Sequence, residues 1–128
     1  MKPTTREWVK KAENDFKVAS LILRRRKEAL PDAACFFCQQ CIEKYLKARL
    51  LEAGIAFPRT HDLLQLLNAC VQIEPLWVAY AKVVDAMSDY AVDFRYPGHS
   101  ATLREAKVAL EHCRSLRTEV RRALGLKK

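Results

Sequence analysis

Apolar residues in the first part of the chain recur three and four positions apart. Trp8, Ala12, Phe16, Ala19, Ile22 and Leu23 form one stripe, and the spacing predicts a helix from about Thr5 to Lys27. Thr4 and Glu7 stand at capping-box spacing just after Pro3. The basic run Arg24, Arg25, Arg26, Lys27 falls in the last turn, where positive charge suits the helix dipole. A second helix is predicted from Pro31 and Asp32 to about Ala53, with Gly54 as its C-terminal stop. Its apolar positions, among them Ala34, Cys35, Cys38, Cys41, Ile42, Tyr45, Leu46 and Leu50, cover more than one face, which marks a central helix.

Pro58 marks a turn. Thr60 can cap a third helix running through Leu63, Leu66, Leu67, Cys70 and Val71. Pro75 interrupts the pattern, and a fourth helix spans roughly Leu76 to Tyr90 with Trp77, Tyr80, Val84 and Met87 on one face. After Pro97 and Gly98, Ser100 or Thr102 opens the last helix, and Thr102 with Glu105 again has capping-box spacing. Leu103, Ala106, Leu110, Cys113, Val120 and Leu124 continue the helical repeat until Gly125. No stretch alternates as a strand does. The expected fold is all-α, an antiparallel bundle of about five helices over residues 1–128 as one domain.

Composition agrees. Hydrophobic residues make up 50% and charged residues 30% of 128 positions, which excludes disorder as the main reading. With Gly 3 and Pro 5, there are too few turn residues for an all-β fold. The net charge of +8 favours phosphate-bearing or acidic partners. The first sixteen residues lack the apolar core of a signal peptide, and no apolar run is long enough to span a bilayer. The expectation is a cytoplasmic protein without a membrane partner, its five cysteines reduced.

Cys35, Cys38 and Cys41 sit three apart on one predicted helix. They fan across a sector instead of converging, as metal ligands must. They read as small apolar residues at close helix approaches, with no metal and no cofactor expected. The most unusual stretch is polar. Gln40, Glu43, Lys44 and Lys47 share one side of the central helix, where polar groups are costly unless paired. They either pair among themselves and with a neighbour such as Asp15, or line a ligand cleft. His61 and Asp62 stand at a helix start, where His61 can hydrogen-bond to a neighbouring helix. The segment Tyr90 to His99 gathers Arg95, two tyrosines and a histidine at one end of the bundle.

Three segments together resemble the HEPN family (higher eukaryotes and prokaryotes nucleotide-binding). They are Phe36 to Ala48, with Gln39, Gln40, Glu43, Lys44, Leu46, Lys47 and Ala48; then His61-Asp62-Leu63; then Arg95-Tyr96-Pro97. Asp15 matches an acidic position of the family's first helix. The resemblance implies a helical bundle, a homodimer, and a small nucleotidyltransferase as partner, in some cases as toxin and antitoxin. Many members are RNases whose Arg and His are separated by four to six residues; Arg would stabilise charge on the phosphate and His would move protons. Here Arg95 and His99 are separated only by Tyr96, Pro97 and Gly98, and Pro97 disfavours helical backbone at Tyr96. The better match is the branch with the Arg-Tyr-Pro segment and no regular RNase motif. The first reading is therefore a non-catalytic binding module for a nucleotide or RNA. Gln40, Glu43, Lys44, Lys47, Arg95 and Tyr96 are its candidate ligand contacts. One alternative is a metal-independent endoribonuclease using Arg95 and His99; another is a structural adaptor without a ligand.

Overall fold

The computed structural model describes residues 1–25 and 30–128. Within them are five α-helices: α1 (Pro3–Arg24), α2 (Pro31–Glu52), α3 (Leu63–Val71), α4 (Ala81–Ser88) and α5 (Leu103–Ala123). Short 3₁₀ turns cover Pro75–Tyr80, Asp89–Ala91 and Asp93–Arg95. The described residues contain no strand. No described helix is long and apolar enough to cross a membrane.

α2 is the axis of the fold, as its apolar character on several faces requires. Its residues Cys38, Cys41, Ile42, Tyr45, Leu46 and Leu50 are buried, and α1, α3 and α5 all pack on it. α1 runs antiparallel to α2: the Lys2 amide donates to Glu52 Oε1 (2.9 Å) at one end and Lys44 reaches Asp15 further along. α3 and α4 form a hairpin beside α2 and carry the chain back toward the start of α2. There Asp32 Oδ1 accepts from the Ala101 amide (2.6 Å). α5 consequently runs antiparallel to α1 but in the same direction as α2.

The caps decide where each helix begins and ends. Thr102 and Glu105 form the expected capping box. Gly54 and Gly125 take φ of +72° and +75° and close α2 and α5, each followed by an amide bonded back into the last turn. Two expected caps differ. α1 starts with Pro3 in its first turn, ahead of the Thr4–Glu7 pair, and Thr5 is buried instead of lying at an open end. α3 is capped by Asp62, whose Oδ1 accepts from the amides of Leu64 (3.0 Å) and Gln65 (3.3 Å). The Thr60 hydroxyl is spent one step earlier, accepting from the Asp62 amide (3.0 Å). The fourth predicted helix is regular only from Ala81; its first turn is 3₁₀, opened by Pro75. α1 ends earlier than the spacing predicts: of the basic run, Arg24 lies in its last turn, Arg25 is extended just past it, and Arg26 and Lys27 lie outside the described residues.

All five thiols are buried and free. Cys113 on α5 meets Cys38 and Cys41 on α2, so cysteine serves where two helices come close. Burial pushes the Cys35 and Cys70 thiols up to about 12. The hydrogen bond with Cys113, and then burial, raises Cys38 as well. The thiolate is the reactive form. At pH 8 the folded protein should therefore resist iodoacetamide, and all five thiols should alkylate after denaturation. One thiol reacting stoichiometrically at the rate of a free cysteine would contradict this packing.

Candidate functional site

Glu43 is the centre of the polar stripe. Its residue exposure is 3%, and a buried carboxylate must be met by donors. Three meet it. Lys47 Nζ lies 3.1 Å from Oε2, one helical turn along α2. Gln39 Nε2 donates to Oε1 at 3.3 Å, and His61 Nδ1 lies 2.8 Å from the same oxygen. Gln40 Nε2 donates to Gln39 Oε1 (2.7 Å), extending the chain of bonds outward. Lys47 also lies over the Trp8 ring, 5.5 Å from its centroid. The low dielectric strengthens each of these bonds and raises the cost of breaking any one.

The same network fixes the loop that precedes α3. The His61 carbonyl accepts from Gln39 Nε2 (3.2 Å) and from the Ser88 hydroxyl (3.4 Å), while Ser88 Oγ accepts from the Leu63 amide (2.8 Å). A carboxylate oxygen accepts, so the His61 tautomer that satisfies this contact is the one with the proton on Nδ1. The His61 side chain is 71% exposed. It borders a cleft of about 300 Å³ lined also by Asp62, Asp85, Ser88, Asp89 and Val92. Three carboxylates make that cleft repulsive to phosphate. The glutamine–glutamate–lysine stretch of α2 and the His61-Asp62-Leu63 segment are thus two halves of one structural unit.

Lys44 leaves this unit. Its Nζ lies 2.6 Å from Asp15 Oδ2 on α1, the pairing expected from the sequence. The third segment packs on α2 further toward its start. The Arg95 guanidinium lies over the Phe36 ring, 5.4 Å from the centroid. Phe36 and Lys47 stand eleven positions apart, about 16 Å along a helix axis. The structure therefore gathers Gln39, Gln40, Glu43 and Lys47, ties Lys44 to α1, and sets Arg95 on the Phe36 ring, about one helical turn before Gln40 and about three before Lys47. Arg95 is exposed and makes no ion pair among the described residues, not even with nearby Asp93. Tyr96 is 60% exposed with φ −123° and ψ 153°, the extended conformation that Pro97 demands of it. Gly98 then turns the chain with φ +96°, and His99 is exposed beyond it. Arg95 and His99 share no helix.

A second polar centre has no motif in the sequence. Glu13 on α1 accepts from Tyr45 Oη and from Arg117, with Arg121 3.8 Å away. Arg117 also lies over Phe16 (4.6 Å). Burial alone would raise the Glu13 carboxyl, but the bonds from Arg117 and Tyr45 hold it below its ordinary value. Burial and the bond to Glu13 raise Tyr45, which keeps the phenol a donor. The only local signal for this centre is the position of Glu13 beside Ala12, at the edge of an apolar stripe. Among the described residues, no group of three or more His, Cys, Asp or Glu is arranged to hold a metal ion.

The family model of the HEPN domain matches residues 5–123. The chain belongs to the HEPN family. Among solved structures, this HEPN chain is similar to the crystal structure of TT1696 from Thermus thermophilus. The TM-score is 0.77 at 22% identity, covering 92% of this chain and 96% of that one. At that identity the likeness establishes the helical-bundle fold alone. No curated protein matches the chain. The α2 network and the Arg95 segment are accordingly two features of a HEPN bundle, one internal and one facing solvent.

Proposed function

We propose that this HEPN chain is a non-catalytic binding module of the branch with an Arg-Tyr-Pro segment. In this reading it pairs as a homodimer, has a small nucleotidyltransferase as protein partner, and binds the phosphate of a nucleotide or RNA. The observation that carries the reading is the state of Arg95. Its guanidinium is exposed, steadied on the Phe36 ring and unpaired among the described residues, beside an exposed Tyr96. A cation held by an aromatic face next to a free ring suits a phosphate with a stacked base. Lys44 and Lys47 support the site differently. Their charges are answered by Asp15 and Glu43, which leaves Arg95 as the cation of the set available to a phosphate among the described residues. The unequal backbone between Arg95 and His99 favours binding over cleavage, because a phosphate-cleaving pair needs both groups on one phosphate.

Fluorescence anisotropy with labelled single-stranded RNA tests this reading. Binding should be present at low salt and fall steeply as salt rises. Arg95→Ala should weaken it by about 10- to 100-fold, the worth of a charged hydrogen bond. No binding at low salt, or binding unchanged by Arg95→Ala, would remove these residues from the site.

A further inference from the structure

α1 and α5 both pack on α2 but touch each other little, and their far halves leave a cleft of about 280 Å³ between them. Leu23 of α1 and Leu110 of α5 form its floor, half-buried against the core. Its rim is charged: Arg24 from one side, Lys107, Glu111 and Arg114 from the other. All four rim residues are exposed. Among the described residues, Arg24, Lys107 and Arg114 form no ion pair, whereas Arg117 and Arg121 on the same helix are held by Glu13. Arg114 only leans over Phe16, 5.8 Å from the ring.

The geometry points to this cleft as a docking groove for an acidic, amphipathic segment of a protein partner. The apolar floor between two helices takes one or two aliphatic anchors, and the three rim cations, which outnumber the single rim carboxylate, take the carboxylates that flank them. Nucleic acid fits less well. The floor is aliphatic and offers no flat ring for a base, and Glu111 stands between Lys107 and Arg114, where a phosphate chain would have to pass. A peptide can place a lysine against Glu111, which would set its register. The groove is separate from the Arg95 segment, and the inference does not depend on the function proposed above.

The probe is a synthetic helical peptide with leucines at helical spacing and glutamates between them, titrated into the isotope-labelled full chain and followed by NMR. Shifts should cluster at Leu23, Arg24, Lys107 and Leu110 and weaken with added salt. Arg24→Glu/Lys107→Glu should weaken the peptide at least tenfold, with an unchanged helical circular dichroism spectrum. The same variant should gain affinity for a peptide carrying lysines in place of the glutamates. A single-stranded RNA titrated in parallel should leave this cleft unshifted. Absence of shifts at millimolar peptide, shifts elsewhere, failure of the charge-swapped pair, or an RNA footprint in the cleft would each overturn the inference.

Discussion

Glu43→Leu will destabilise the fold by about 3–5 kcal/mol, the cost of breaking a buried ion pair from one side. The substitution takes the shared acceptor from three donors and strands one of them, Lys47; Gln39 keeps the His61 carbonyl and the exposed His61 ring can turn to water. Lys47 Nζ keeps only the Trp8 ring, and Gln39 and His61 each lose a carboxylate oxygen. The Lys47 side chain is 9% exposed, too little for water to answer the ammonium fully. Glu43→Leu combined with Lys47→Met removes both charges and should recover most of the loss, since a hydrophobic pair of similar volume avoids the desolvation cost. Urea unfolding of the wild type, both single variants and the double variant measures the cycle. A double variant less stable than Glu43→Leu alone would show that the two charges are not answering each other.

Acid will weaken the α1–α5 junction through Glu13. Its carboxyl lies below the ordinary value in the folded chain because Arg117 and Tyr45 bond to the ionised form. A depressed carboxylate contributes stability that is complete above the unfolded value, about 4.3, and is lost as pH falls through the lower folded value. Glu13→Gln should therefore cost about 1.5–3 kcal/mol at pH 7, the range for hydrogen bonds to charged groups. The gap between variant and wild type should close as pH drops below about 4. Denaturation curves at several pH values read this directly. A gap of constant size from pH 7 to pH 2 would mean that Glu13 acts through packing and not through its charge.

What could be read from the chain alone follows the reach of each signal. Helix periodicity and glycine stops are local, so α1, α2, α3 and α5 appear where the spacing puts them, and the Thr102–Glu105 box caps α5 as expected. Caps that compete within two residues are harder. Thr60 and Asp62 are both good acceptors, and the choice fell to Asp62 because Thr60 bonds the Asp62 amide. The buried stripe on α2 was legible because polar residues on a helix apolar on most sides need partners, and Asp15 was within reach of that argument. The partners that come from distant chain were not legible. Nothing near Arg95 in sequence indicates that it will rest on Phe36. Nothing in Glu13 indicates that it will gather Tyr45, Arg117 and Arg121. The α1–α5 cleft has no sequence signal either, because it is made by how far two helices diverge on a third.

Whether this HEPN chain binds RNA without cutting it can be read from one gel. The purified wild type, Arg95→Ala and His99→Ala proteins are incubated with mixed single-stranded and structured RNAs in the presence of a chelator. Arg95 ends a 3₁₀ turn, Tyr96 is extended and Gly98 reverses the backbone before His99. RNA should stay intact in all three lanes, with the wild type still retarding it at low salt. Cleavage by the wild type that vanishes in both variants would contradict it and make Arg95 and His99 the catalytic pair of a ribonuclease.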